Sequence, residues 1–581
     1  MQVPPLLSVK DLHVSFGKVK AVRGISFDVQ PGEVVCIVGE SGSGKSVTAR
    51  ALMGLLEDGA VSSGEILLRG SPIKNDDSPR MNRIRGRDIA MIFQEPLTAL
   101  NPAMRVGHQI AEMILNHTDV SRRDAQAQAV SLLDRVGIRD AKERANAYPH
   151  ELSGGMRQRV MIACACAANP GLIIADEPTT ALDVTIQAQV LDLLFKMQRD
   201  LGSSLLFVTH DLGVVAEIAD RVVVLYKGEL IEQGPVEKIF SAADHPYTRA
   251  LIKAAPDINL PRSPLRRFPS VDTEAIFNPP SDDTKKKQRP PARAKHSHAM
   301  DRTRPLDLPA LLEVRDLRRS FTLGRGLLKG PRRKLHAVDG VSLTIARGTT
   351  TALIGESGSG KTTLGRCIAQ LDRPTSGSTY FAGQDTTVLR GAPLLRFRRH
   401  VQTIFQDPYA SLNPRRPIGE AITDGLAIHG LADQKERDTR ARGLLQRVGL
   451  SPEDALRYPH QFSGGQRQRI AIARALALDP EFIIADEAVS ALDVSVRAQV
   501  LNLLIELQEE RGLSFLFITH DLSTVRQFAN RIAIMQNGRI VEEAPTEEIF
   551  TSPRHPYTRD LLSAVPRLFP DPGTRLRQRY L

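Results

Sequence analysis

The sequence predicts an α/β protein assembled from two tandem copies of one domain, and three observations carry that reading. The chain repeats itself at a nearly constant offset. Each copy contains a short apolar strand that runs into a glycine-rich loop and then a helical stretch. Each copy also contains a second apolar strand that ends in Asp-Glu.

The repeat comes first, because a missed repeat misreads the whole fold. Leu172 to Leu194 reads LIIADEPTTALDVTIQAQVLDLL and Phe482 to Leu504 reads FIIADEAVSALDVSVRAQVLNLL, with 15 of 23 positions identical without gaps. The offset is 310 residues from Ser153/Ser463 through His210/His520 to His245/His555. It is 312 at Gln94/Gln406, 316 at Lys45/Lys361 and only 305 at Phe16/Phe321, which places an 11-residue insertion within Leu323 to Leu335. Residues 1–255 are therefore read as the first domain and 310–581 as the second. Between them, 256–309 carries ten prolines in 54 residues and the run Lys285-Lys286-Lys287. That composition reads as a flexible linker with a root-mean-square span of roughly 40 Å, and the lysine run as a solvated stretch of it rather than a binding patch.

At 581 residues the chain exceeds what one core fills, since cores stop growing near roughly 250–300 residues. With 41% hydrophobic and 25% charged residues it reads as globular, not disordered. Its longest uncharged run, Val160 to Ala175, is broken by Asn169-Pro170-Gly171 and falls short of the roughly 20 residues of a membrane span. The start, Met1-Gln2-Val3-Pro4-Pro5, lacks a basic region followed by an apolar stretch, so no secretory signal is expected. Four cysteines argue against a disulfide framework. Cys164 and Cys166 stand two apart in a helical reading and point to different faces, and all four are expected to be small buried hydrophobes. The formal charge of +11 permits a nucleic acid or an anionic membrane surface as partner but is too dispersed to choose.

The chemistry is written twice. Val34 to Val38 leads into Gly39-Glu40-Ser41-Gly42-Ser43-Gly44-Lys45-Ser46, and Thr351 to Ile354 leads into Gly355-Glu356-Ser357-Gly358-Ser359-Gly360-Lys361-Thr362. Both match G-x-x-x-x-G-K-[ST] between a strand and a helix, the context that makes the motif meaningful. The glycines let backbone N–H groups wrap phosphates, and the helix N-terminus adds its positive end. Lys45 and Lys361 would reach the β- and γ-phosphates of ATP, with Ser46 and Thr362 holding Mg²⁺. Leu172 to Ala175 and Phe482 to Ala485 read as strands ending in Asp176-Glu177 and Asp486-Glu487. Alternation along a strand separates the two carboxylates, so the Asp can support the metal while the Glu reaches the attacking water. Phe207 to His210 and Phe517 to His520 place a histidine at another strand's carboxyl end, where ligands sit in open α/β sheets. A lone histidine there is more often structural; a matched pair points to a γ-phosphate contact. Ile186, Val190, Leu193, Leu194, Met197 and Leu201 recur at helical spacing and predict one buried face.

Further motifs give the pattern a family resemblance. Leu152-Ser153-Gly154-Gly155-Met156-Arg157-Gln158-Arg159 and Phe462-Ser463-Gly464-Gly465-Gln466-Arg467-Gln468-Arg469 resemble the signature of ABC ATPases, about 20 residues before the Asp-Glu strand. Gln94 and Gln406 resemble Q-loop residues that join the metal site, and Ala181-Leu182-Asp183 and Ala491-Leu492-Asp493 resemble D-loops. Phe16 and Phe321 occupy the adenine-stacking position. The resemblance implies tandem P-loop NTPase domains of ABC type, each with a RecA-like core, a helical subdomain and an antiparallel β-subdomain. It further implies two composite sites, each phosphate loop closed by Ser153, Gly154 and Gly155 or by Ser463, Gly464 and Gly465 of the other half. Glu177 and Glu487 would act on the water, helped by His210 and His520. Neither half has lost a key residue, so both sites are expected to hydrolyse ATP. The departures are Met156 in place of the common Gln, and Ala488 in place of the usual Pro.

The ends of the halves narrow the resemblance. His245-Pro246-Tyr247-Thr248-Arg249 and His555-Pro556-Tyr557-Thr558-Arg559 are similar to the tail motif of oligopeptide, dipeptide and nickel importer ATPases. So are Ala99-Leu100-Asn101-Pro102 and Ser411-Leu412-Asn413-Pro414, just past the Q-loops. The implied protein is the ATP-binding subunit of a peptide importer, peripheral on the cytoplasmic face of a bacterial inner membrane. Its implied partners are two integral membrane permease subunits and, indirectly, a periplasmic or extracellular solute-binding protein, with no nucleic acid. The transported solute could instead be nickel, glutathione or an opine. Some relatives bind an iron–sulfur cluster through cysteines after the tail motif, but no cysteine follows Cys367, so none is expected here. The competing reading is a cytosolic tandem ABC ATPase on the ribosome, which would join its halves by a charged helix rather than a Pro-rich stretch.

Overall fold

In the computed structural model the described residues are 4–74, 78–180, 182–260, 267–271, 273–277, 309–323, 333–407, 411–489, 492–570 and 573–580. Contacts divide the chain into two units, Met1–Asp257 with Pro566–Leu581, and Ile258–Val565.

In the first unit, β1 (Leu7–Phe16), β2 (Val19–Val29), β4 (Ala60–Leu68) and β5 (Ser71–Pro72) form an antiparallel sheet in the order β2-β1-β4-β5. Leu7, Val9, Leu12 and Val14 of β1 are buried between more exposed neighbours, the alternation of a strand with one covered face. A register shift between Val9 and Leu12, where Asp11 has φ 49°, moves that alternation by a step. The second sheet runs β10-β9-β3-β8-β7-β6, from β3 (Val34–Val38), β6 (Ile89–Ile92), β7 (Leu172–Asp176), β8 (Ser204–Val208), β9 (Arg221–Tyr226) and β10 (Glu229–Pro235). Every residue of β3, β7 and β8 is buried, as expected where helices cover both faces of a parallel sheet. Only β10 pairs antiparallel, with β9. Val35, Ile37, Leu52, Ile174 and Leu206 share one core cluster with Leu7, Ile25 and Phe27 of the other sheet.

The helices follow the same logic. α1 (Lys45–Leu52) leaves the glycine-rich loop after β3. Between β6 and β7 a helical layer is inserted, with α2 (Val106–His117), α3 (Arg122–Arg135) and α4 (Gly154–Cys166). α5 (Val184–Leu201) buries Val190, Leu193, Leu194 and Met197 of the expected stripe, with Ile186 and Leu201 only partly covered. α6 (Leu212–Ile218) and α7 (Pro246–Ala254) complete the unit's main helices.

The second unit repeats the plan. β11 (Ala310–Leu323), β12 (Arg333–Ala346), β14 (Ser376–Phe381) and β15 (Gln384–Asp385) form the sheet β12-β11-β14-β15. β13 (Thr350–Ile354), β16 (Val401–Ile404), β17 (Phe482–Asp486), β18 (Ser514–Thr519), β19 (Arg531–Gln536) and β20 (Arg539–Pro545) form β16-β17-β18-β13-β19-β20. Its main helices are α8 (Lys361–Ile368), α9 (Ile418–Ile428), α10 (Gln434–Arg447), α11 (Gly464–Leu476), α12 (Val494–Arg511), α13 (Leu522–Phe528) and α14 (Pro556–Ser563). The 11-residue insertion belongs to the β11–β12 hairpin, where Phe321 pairs with Leu335 and Leu323 with Arg333; its inner residues lie outside those described. Among the described residues no helix is long and apolar enough to cross a membrane. Cys36, Cys166 and Cys367 are buried as expected, but Cys164 is only partly so.

The units depart from the expected boundaries 1–255, 256–309 and 310–581. The closing residues Pro566–Leu581 belong to the first unit, because their arginines find acceptors there. Arg577 is 6% exposed; it pairs with Asp220 at 3.0 Å and donates to the Gly32 carbonyl at 2.9 Å and to Gln198 at 3.3 Å. Arg575 donates to the Ala216 carbonyl and pairs with Glu237. The backbone N–H of Leu576 donates to Glu217 at 3.1 Å. The early part of the expected linker is likewise packed rather than loose. Phe268 and Val271 are buried, Phe268 exchanges two hydrogen bonds with Asn502 of α12, and Arg267 pairs with Glu506. The Lys285-Lys286-Lys287 run lies outside the described residues.

Candidate nucleotide site

Each unit assembles one site at the carboxyl ends of its parallel strands, between the β3 loop and β7 in the first unit and between the β13 loop and β17 in the second. The glycines are needed sterically. A Cβ on Gly39 would stand 2.2 Å from the Leu225 carbonyl oxygen, and one on Gly360 (φ 104°) 2.0 Å from that of Ala337. Such distances are not available to any other residue, so the loop can follow its path only with glycine there. Lys45 is nearly buried and donates to the carbonyls of Gly39 at 2.8 Å and Glu40 at 2.9 Å. Lys361 does the same at Gly355 (2.7 Å) and Glu356 (2.8 Å). The ammonium is thus folded back into the cradle that the loop forms.

The residues present fit ATP and Mg²⁺. Ser43 Oγ and Ser359 Oγ are buried inside the two loops without a hydrogen-bond partner, in positions where a phosphate oxygen would satisfy them. Ser46 Oγ donates to Asp176 Oδ1 at 3.0 Å, and Thr362 Oγ1 to Asp486 Oδ1 at 3.2 Å. A hydroxyl beside a carboxylate is the oxygen set that a hard cation takes from protein when substrate phosphates and water supply the rest. Among the described residues no group of three His, Cys, Asp or Glu could hold a metal by itself. Burial raises the pKa of Asp486 to about 6, against the hydrogen bond from Thr362 that lowers it. Asp176 is raised for the same reason.

Glu177 and Glu487 are placed differently from what strand alternation predicts. The strand ends at the Asp, and the Glu turns into the left-handed region at φ 47° and φ 48°. A non-glycine residue held there costs about 1–3 kcal/mol, and the neighbouring strand fixes it: Glu177 N donates to the Val208 carbonyl and Glu487 N to that of Ile518, both at 2.9 Å. His210 Nδ1 lies 3.1 Å from Glu177 Oε1, and His520 Nδ1 3.5 Å from Glu487 Oε1. Gln94 Nε2 donates to Glu177 Oε2 at 2.9 Å and Gln406 Nε2 to Glu487 Oε2 at 2.8 Å. The two glutamines therefore face the Glu, whereas the sequence reading grouped them with the metal. Burial would raise the Glu177 carboxyl, but the hydrogen bonds from His210 and Thr180 and the charge of Lys45 outweigh it and bring the pKa to about 2. Glu487 is lowered in the same way by His520, Lys361 and Gln406.

The remaining expected residues take these positions. Ser153, Gly154 and Gly155 head α4, and Ser463, Gly464 and Gly465 head α11, where the first N–H groups have no partner within the helix. Ser153 Oγ caps Met156 N and Ser463 Oγ caps Gln466 N. Gln466 returns a bond to Ser463 N at 3.1 Å; Met156 has no acceptor to do so, and the capping box is lost in the first unit. Asp183 and Asp493 are N-caps, accepting from Ile186 N and Val496 N; Ala181 and Ala491 lie outside the described residues. Phe16 ends β1 packed against the core, and Phe321 lies under the guanidinium of Arg319 at 4.7 Å.

Sequence reasoning missed two contacts. Thr180 Oγ1 donates to Glu177 Oε2 at 2.9 Å, signalled only by its place three residues after the Glu. Tyr557 Oη accepts from Glu356 N at 3.0 Å, for which the repeated His-Pro-Tyr-Thr-Arg motif was the available signal.

Comparison with known proteins agrees with this geometry. A family model described as ABC transporter matches residues 22–180 and 338–490. A second, described as oligopeptide/dipeptide transporter C-terminal region, matches 231–279 and 541–579. The glutathione import ATP-binding protein GsiA of Escherichia coli O157:H7 is 50% identical over 589 residues, covering 99% of this chain and 92% of its own. Its namesake from Shigella dysenteriae serotype 1 (strain Sd197) is 49% identical with the same coverage. Among solved structures, the dimeric post-hydrolysis state of the ATP-binding cassette MJ0796 bound to ADP and Pi aligns with 40% of this chain and 98% of its own, at 32% identity and a TM-score of 0.37.

Proposed function

The chain belongs to the ATP-binding subunits of ABC importers, and from that premise we propose that it drives uptake of glutathione or a closely similar short peptide. The observation that supports this solute is the printed function of relatives half identical over the whole chain; the match to an oligopeptide/dipeptide C-terminal region points to the same class. The proposal includes two integral membrane permease subunits, a solute-binding protein outside the membrane, and a place on its cytoplasmic face. It also includes hydrolysis at two sites, each completed by the signature glycines of the other half.

Bound Mg·ATP supplies the phosphoanhydride to be cleaved and the cation that offsets its charge. The chain's own residues do the rest. Lys45 and Lys361, with the loop N–H groups, neutralise and orient phosphate oxygens. Ser46 with Asp176, and Thr362 with Asp486, hold the cation. A carboxylate with a pKa near 2 is a poor proton acceptor but a permanently ionised hydrogen-bond acceptor. Glu177 therefore aligns a water more than it deprotonates it, with His210, Thr180 and Gln94 fixing the two carboxylate oxygens.

The test is uptake of radiolabelled glutathione, a dipeptide and a pentapeptide by cells lacking the chain. Import of glutathione restored by the wild-type chain, but not by one carrying Glu177→Gln and Glu487→Gln, is the expected result. Restoration of no peptide's uptake by a chain that hydrolyses ATP would sink the proposed solute. Capture of that double variant with ATP from native membranes should also retain two polytopic subunits.

A further inference from the structure

The His-Pro-Tyr-Thr-Arg motif does a traceable job in the second unit. Glu542 on β20 accepts from the backbone N–H of Arg554 at 2.8 Å and of His555 at 3.0 Å, and from the Thr558 hydroxyl. His555 Nδ1 then accepts from Tyr557 N at 3.2 Å and caps α14, with Pro556 at its first position. These bonds fix the first turn of α14 against the sheet. Burial opposes ionisation of Glu542, but the Thr558 hydroxyl and the two backbone N–H groups hold its carboxyl below the usual range. The turn so anchored carries the Tyr557 ring, nearly buried, to the phosphate loop, where its hydroxyl oxygen takes the Glu356 N–H. Glu356 is the second residue of that loop, and its carbonyl is one of the two that hold Lys361.

We propose that Tyr557 is a positioning residue for the second phosphate loop, holding the Glu356 peptide, and through its carbonyl the Lys361 ammonium, in the geometry that receives phosphate. The motif is thus a brace that ties the seating of the tail helix to the readiness of the nucleotide site. This rests on Gly355–Thr362 being a nucleotide loop, and the experiment separates the two claims.

The assay is equilibrium binding of a fluorescent Mg·ATP analogue to the full chain in a Lys45→Ala background, which leaves the second site to report. Lys361→Ala should abolish the remaining binding; if it does not, the nucleotide-loop reading fails. Given that control, Tyr557→Phe, which keeps the ring and removes only the oxygen, should weaken binding about five- to tenfold, the range for one neutral hydrogen bond. Amide exchange in residues 355–360 should quicken while the melting temperature stays within about 2 °C. His555→Ala should weaken binding to a similar degree, His555→Asn should restore it by capping the helix, and His555→Ala with Tyr557→Phe should cost no more than either alone. Binding by Tyr557→Phe within twofold of its parent, or additive effects of the two changes, would overturn the brace.

Discussion

Asp486 offers the sharpest test of the electrostatics of the site. It is 6% exposed, and burial raises its pKa from 3.8 to about 6. At about 1.36 kcal/mol per unit, the ionised carboxylate costs the nucleotide-free fold roughly 3 kcal/mol. A carboxyl raised on folding contributes stability that is fully present below its unfolded value and lost as pH rises through the folded one. The window here runs from pH 3.8 to about 6. Asp486→Asn keeps an oxygen beside Thr362 and cannot ionise. In EDTA without nucleotide, the variant should therefore gain on wild type by about 1–1.5 kcal/mol between pH 5 and 7.5. That is roughly 3–5 °C in the melting temperature of a domain this size. Adding Mg²⁺ and a non-hydrolysable nucleotide should reverse the order at pH 7.5, because the cation needs the charge that the empty fold resists. Differential scanning calorimetry of the full chain at several pH values checks both. A difference between the two proteins that stays constant from pH 5 to 7.5 refutes the reasoning, as does a wild type that gains on Asp486→Asn as pH rises.

Other outcomes follow from the same contacts. Glu177→Gln or Glu487→Gln alone should each lower steady-state hydrolysis about 10²–10⁴-fold with nucleotide retained, and either one leaving turnover untouched would remove the two-site claim. His210→Ala deletes the first-named bond that holds Glu177 near pKa 2, so the acid limb of the pH–rate profile should move to higher pH. Gly360→Ala places a Cβ 2.0 Å from a backbone oxygen at φ 104° and should cost about 3 kcal/mol or more in denaturant unfolding and abolish nucleotide binding at the second site. Asn101 accepts from Ala103 N in an exposed turn just past Gln94; Asn101→Ala should uncouple transport in whole cells while the purified chain keeps its basal hydrolysis.

Much of this was legible from residues because the site is built from backbone-dictated motifs. Gly39, Gly44, Gly355 and Gly360 are required where a Cβ would meet backbone, so their spacing alone announces the loop. β3, β7, β13 and β17 are buried on both faces and read as unbroken apolar runs. What could not be read was set by long-range contacts. The left-handed turn at Glu177 depends on a carbonyl of β8 more than 30 residues away. The orientation of Gln94 toward Glu177 rather than Asp176 depends on where β6 stops. The Pro-rich composition around Phe268 suggests a loose linker, yet two hydrogen bonds to Asn502 and a buried ring outweigh the local preference.

The discontinuity of the first unit bears on how the protein is made. Its opening stretch ends at Asp257, but Arg575 and Arg577, which reach Ala216, Asp220 and Gly32, are among the last residues synthesised. At translation speeds of about 5–20 residues per second, the ribosome delivers them roughly 15–60 s after Asp257. Through that interval Asp220 and Glu217 wait without their partners, while the second copy of the same domain emerges. Completion of the first ATPase is thereby scheduled after synthesis of the second, and a nascent chain truncated anywhere in its latter half leaves neither copy finished.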